Sequence, residues 1–102
     1  MAVLHRVERL EGTDSPDLLF FCPGCQCGHG IWTSHPNGIT GATWTWNGSM
    51  DKPTVSPSLA INFHNRGKDA RCHVVITDGK LHFCADCTHQ YAGQVVDMVE
   101  FG

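Results

Sequence analysis

Two C-x-x-C pairs, Cys22-Pro-Gly-Cys25 and Cys84-Ala-Asp-Cys87, govern what this chain can become. Thiols this close make a poor structural disulfide with each other but suit two ligands of one ion. Six cysteines and seven histidines in 102 residues supply the donors. The first ten residues, Met1 to Leu10, contain no apolar leader segment. The expected compartment is therefore the reducing cytoplasm, where thiolates stay free for metal. Pro23 fixes the entry to the first pair and Gly24 permits the tight turn. The leading expectation is a tetrahedral four-thiolate site of Cys22, Cys25, Cys84 and Cys87 around Zn2+. Iron in the same tetrahedron stays open, since thiolate softness selects against magnesium and calcium but not against iron.

Further donors lie close by. Cys27 and His29 follow the first pair, and Cys72, His73 and His89 surround the second. On a strand, Cys72 points away from the face that carries His73 and Cys84, so Cys72 and His73 do not readily serve one ion. A second site, or a mixed Cys/His site that replaces one thiolate, stays open. The plainer alternatives are specific: Cys72 as a small core hydrophobe, His82 as a cross-strand surface residue, and His29 or His89 as hydrogen-bond supports of a ligand. His5, His35 and His64 read as surface residues.

Sixteen glycines and prolines, spread through the chain, cut it into short pieces and favour strands over helices. Strands are expected at Val3 to Leu10, after a turn at Thr13 to Pro16 in the run Leu18 to Phe21, and in Ala42 to Asn47, where Trp44 and Trp46 share a face. Lys52 to Ser58 is extended by its prolines, and Ser58 to Phe63 puts Leu59, Ile61 and Phe63 on one side. Asp78-Gly79 suits a type I′ turn between Cys72–Thr77 and Lys80–Ala85. That register pairs Thr77 with Lys80, Val75 with His82 and His73 with Cys84. Thr88 to Gly93 reads as a loop or one helical turn, and Val95 to Phe101 as a last strand. The expected fold is a single domain over residues 1–102, mainly β, with six to eight short strands, little helix and a zinc-ribbon-like metal centre.

As a set, Cys22-Pro-Gly-Cys25, Trp46, Pro53-Thr-x-Ser-Pro-Ser58, Cys72-His73, Asp78-Gly79, Asp86-Cys-Thr-His89 and Ala92-Gly-Gln94 resemble a family of small phage and prophage proteins without an assigned activity. Its members often carry the label ammonia monooxygenase. The resemblance spans about residues 20 to 96. It implies a zinc-binding protein of the bacterial host cytoplasm, with Cys22, Cys25, Cys72, His73, Cys87 and His89 as site residues. An apolar residue is common in that family where this chain has Cys84.

Composition narrows the function classes. Seven Lys and Arg against ten Asp and Glu give a net charge of −3, which disfavours a nucleic-acid backbone as partner. Only Arg66, Lys68 and Arg71 cluster as positive charge, diluted by Asp69. No apolar run approaches a membrane span. The favoured expectation is a non-catalytic, zinc-stabilised module that engages a host protein, with Trp32 as a surface anchor and Trp44 and Trp46 as core. The alternatives are a zinc hydrolase using His89 as ligand and Asp86 as base, and a nucleic-acid-binding zinc ribbon. His-x-Glu and H-E-x-x-H motifs are absent, so zinc deaminase and zincin chemistry are excluded.

Overall fold

The computed structural model describes residues 2–8, 15–38, 40–65 and 68–101, with the side chains of residues 63–65 and 68 left outside the description. Every regular element among them is a strand: β1 (Leu4–Arg6), β2 (Leu18–Cys22), β3 (Cys27–Ile31), β4 (Thr45–Trp46), β5 (Val55–Asn65), β6 (Lys68–Thr77), β7 (Lys80–Phe83) and β8 (Val95–Asp97). They form two antiparallel sheets, ordered β1-β2-β3 and β4-β5-β6-β7-β8. The mainly β expectation holds. No helix among the described residues is long and apolar enough to cross a membrane.

Alternation builds the core. Leu18, Phe20 and Cys22 of β2 are buried while Leu19 and Phe21 between them are only partly so. In the larger sheet Leu59, Cys72, Val74, Ile76, Leu81 and Phe83 point inward and join Leu4, Leu18, Phe20 and Ile31 of the smaller sheet in one core. The opposite face of the larger sheet carries Ser58, Ala60, His73, Val75, His82 and Cys84, which range from half-buried to exposed.

The β6–β7 hairpin has the expected register, Thr77 opposite Lys80 and Val75 opposite His82. Its turn has φ +50° at Asp78 and +75° at Gly79, the two left-handed residues that a type I′ turn requires. β5 is one long strand where two segments were expected, with a shift of register between Val55 and Leu59 that falls beside Ser58. Such bulges re-aim side chains. Other elements differ from expectation in extent or were not foreseen. Only Thr45 and Trp46 of the Trp-rich segment pair as strand. The last strand stops at Asp97. β3 was missed because Gly28 and Gly30 carry no strand propensity; its partner β2 supplies the pairing. Thr88 to Gly93 forms turns. Residues 9–14 and Arg66, with their expected strand end, turn and basic charge, lie outside the described residues, as do the side chains of Phe63, His64 and Lys68.

Candidate functional site

The strand parity of β6 separates two groups of functional side chains. Cys72 points into the core and His73, its neighbour, to the outer face. Each residue collects different partners.

On the inner side Cys72 meets the turn that leaves β2. Cys22, Cys25, His29 and Cys72 each offer one donor atom, all within 4.8 Å of one another, and together they could hold a metal ion. Two sulfurs on one tetrahedral ion at about 2.3 Å lie about 3.8 Å apart, and the Cys22 and Cys72 sulfurs are 3.8 Å apart. The Nε2 atom of His29 is buried without a hydrogen-bond partner. A buried nitrogen of this kind is costly unless something binds it. Electrostatics point the same way. The Cys22 thiol is pulled down to about 3, chiefly by the hydrogen bond from Cys72. Cys25 is pushed up to about 12 by burial and by the Cys22 charge. Cys72, the donor to Cys22, is raised as well. By themselves these three sulfurs hold one negative charge; a cation lets all three ionise.

A second group, Cys72, Cys87 and His89, abuts the first through Cys72. Here the Tyr91 N–H donates to Nδ1 of His89 at 3.2 Å. A neutral imidazole that accepts at Nδ1 carries its proton on Nε2, and that atom, like Nε2 of His29, is buried without a hydrogen-bond partner. The His89 ring packs on Gly24, where a Cβ would fall 2.4 Å from Nδ1. Glycine in the first C-x-x-C is therefore required by close approach and not by the turn, whose left-handed residue is Gln26 at φ +58°.

The expected four-thiolate set is not brought together. Cys22 and Cys25 do meet, but their companions are Cys72 and His29. Cys87 sits in the neighbouring group, and Cys84 lies on the outer face with His73 and Asp86. The hairpin is the reason: Cys84 follows the inward Phe83 and so points outward. His73 likewise faces away from the Cys22 cluster.

On the outer face His73 lies between Ser58 and Asp86. The Ser58 Oγ is 3.0 Å from His73 Nε2. His73 Nδ1 is 3.2 and 3.3 Å from the two Asp86 oxygens. An ionised carboxylate only accepts, so Nδ1 carries the ring proton and Nε2 is left to accept from the Ser58 hydroxyl. Arg71 fixes Asp86 from the other side, its Nε 2.6 Å from Oδ2, while its Nη1 donates to Asn62 Oδ1 at 2.9 Å. Arg71 first, and His73 second, hold the Asp86 carboxyl below the usual carboxylate range.

Backbone bonding sets this line. Beyond β7, Cys84 donates its N–H to the His73 carbonyl at 2.8 Å and Thr88 donates to the Arg71 carbonyl at 2.9 Å. The Cys87 sulfur lies 3.2 Å from the His73 N–H nitrogen. Residues 84–88 thus continue alongside β6, and the turn within them sends Asp86 outward and Cys87 inward. Ser58 as a partner of His73 was missed in the sequence. The one available signal was parity: alternation with Leu59 puts Ser58 on the outer face, as the hairpin puts His73 there.

A family model described as "Bacterial ubiquitination-like system serine protease (BubE)" matches residues 4–84, and the chain belongs to that family. No curated protein and no solved structure matches.

Proposed function

We propose that this member of the BubE family is a serine protease of a bacterial ubiquitination-like system, with Ser58 as nucleophile, His73 as general base and Asp86 as the residue that orients and charges His73. The observation that carries the reading is the continuous Ser58–His73–Asp86 hydrogen-bond line, 3.0 Å at one end and 3.2 Å at the other. This is the geometry by which hydrolytic triads are recognised on unrelated folds. The family's description supports it.

The chemistry follows from the proton positions. His73 Nε2 takes the hydroxyl proton as Ser58 Oγ bonds to the scissile carbonyl carbon. That proton passes to the leaving nitrogen as the carbon–nitrogen bond breaks, and an acyl ester remains on Ser58. Water then attacks the ester while His73 takes its proton, the carboxylate departs and Ser58 regains its hydrogen. Asp86 keeps its charge throughout and stabilises the imidazolium.

Zinc fits the inner cluster in a structural role. Three sulfurs and one imidazole satisfy a closed tetrahedral ion, and Cys22 and Cys72 are wholly shielded from solvent. A closed site leaves no position for a reacting water, so the metal-hydrolase alternative loses its premise there. On the outer face both nitrogens of His73 are already engaged, by Ser58 and by Asp86. When bound, zinc would join β2 to β6 and hold the strand from which His73 projects.

A fluorophosphonate probe with peptide mapping tests the reading. The expected result is one phosphonyl group on Ser58, lost in Ser58→Ala and in His73→Ala. Absence of labelling in the zinc-loaded wild-type chain, or labelling elsewhere, overturns it.

A further inference from the structure

Ser58 is among the residues that line a cleft of about 500 Å³. Its lining includes the middle of β3 at Gly28–Gly30, the stretch of β5 from Pro57 to Asn62, and Trp32 and Trp44. Among the described residues, no Asp, Glu, Lys or Arg lines it.

The β5 wall is also a strand edge that, among the described residues, is paired only at Val55 and Ser56, by β4. Which backbone groups face the cleft follows from β6. The His73 carbonyl accepts from Cys84 and its N–H points at the Cys87 sulfur, both away from β5. Arg71 likewise turns both backbone groups away, its carbonyl to the Thr88 N–H and its N–H to Thr88 Oγ. In an antiparallel ladder the residue opposite such a group belongs to the same non-hydrogen-bonded pair. Ala60 stands opposite His73, and Asn62 opposite Arg71. Ala60 and Asn62 therefore direct their N–H and C=O groups outward, toward the bare edge. The Ser58 carbonyl faces the same way and accepts the Trp44 indole N–H at 3.3 Å.

From this we infer that the cleft binds the substrate segment flanking the scissile bond as an extended, uncharged stretch of polypeptide. It pairs as an added strand with Ala60 and Asn62 of β5 and lays apolar side chains against Trp32 and Trp44. Edge pairing supplies affinity through main-chain hydrogen bonds and selects side chains at alternate positions. A charged side chain would lose its water inside the cleft without gaining a counter-ion. The position suits cleavage, since a strand beside Ser58 brings its own carbonyl groups past Oγ. The inference rests on the protease reading for what happens to the bound segment, but binding can be measured without turnover.

The experiment uses the zinc-loaded Ser58→Ala chain and fluorescence anisotropy of a short fluorescein-labelled peptide of Gly, Ala, Val and Leu. A set of the same peptide, N-methylated at one amide at a time, scans the main chain. Losses of about tenfold or more at alternate amides, with the amides between them tolerant, are expected for a strand on one edge. Replacing an apolar residue by Asp or Lys is expected to weaken binding by a similar factor. Indifference to N-methylation at every position, equal binding of the charged peptides, or no binding of any peptide overturns the inference. Failure here with phosphonate labelling of Ser58 intact would leave the triad standing and remove only the edge.

Discussion

In the proposed reaction the chemistry turns on Asp86, which is open to solvent, with Arg71 rather than burial controlling it. Because Arg71 and His73 hold its carboxyl below the usual range, Asp86 stays ionised as the pH falls. Asp86→Asn keeps the shape but invites the wrong imidazole tautomer. It is expected to lower kcat by roughly 10³–10⁴-fold, with a much smaller effect on KM. Arg71→Ala, which only loosens Asp86, is expected to cost less. Gly24 is a residue-scale test of the inner cluster. An alanine methyl there would meet the His89 ring at 2.4 Å, so Gly24→Ala is expected to destabilise the fold by about 1–3 kcal/mol in urea unfolding. None of these roles is written in local sequence. Ser58 stands in Val55-Ser-Pro-Ser58 without a nucleophile-elbow pattern, and His73 and Asp86 were legible only as metal ligand and metal-site base.

Among the elements, the hairpin was the most legible, because Asp78-Gly79 fixes both the turn and the face of every residue beyond it. Gly79→Ala would force a methyl into a left-handed turn, 3.2 Å from the Asp51 carbonyl oxygen. A loss of about 1 kcal/mol or more is expected. The link between β2 and the loop after β3 was not legible, since it runs through one side chain. Asp17 accepts the Thr33 and Ser34 N–H groups at 2.7 and 3.0 Å and the Ser34 hydroxyl at 2.6 Å. This anchors the loop that carries Trp32, a wall of the cleft. Burial alone would raise the Asp17 carboxyl; the bonds from Ser34 and Thr33 and the nearby His35 outweigh it and hold it low. With the folded pKa depressed, the stabilisation is complete above the unfolded aspartate value of about 3.9 and is lost as pH falls through the lower folded value. Asp17→Ala is expected to cost about 1 kcal/mol at neutral pH. That difference should shrink in urea titrations on going below about pH 4.

At the scale of the whole molecule, the two sheets are joined by the cluster of Cys22, Cys25, His29 and Cys72, and the reactive face lies one residue away at His73. A structural zinc contributes roughly 10–16 kcal/mol of apparent free energy, as large as the whole stability of a typical domain, about 5–15 kcal/mol. Chelation is therefore expected to unfold the chain and silence Ser58 together, with one zinc per chain by native mass spectrometry beforehand. A chain that keeps its near-ultraviolet circular dichroism after chelation would contradict this. The first C-x-x-C as a pair of neighbouring donors was readable from spacing. The identity of the other ligands was not, because it depends on which strand lies across from β2, and spacing along the chain does not encode that. Parity did foretell that Cys72 and His73 serve different ends.

The most direct test of the account is to trap the covalent intermediate. The zinc-loaded chain is mixed with an activated acyl ester, quenched in acid during turnover, and its intact mass and proteolytic fragments are measured. One acyl group on Ser58, absent from His73→Ala, is the expected result. An acyl group on Cys84 in place of Ser58, or ester turnover with no acyl group on the protein, would contradict it.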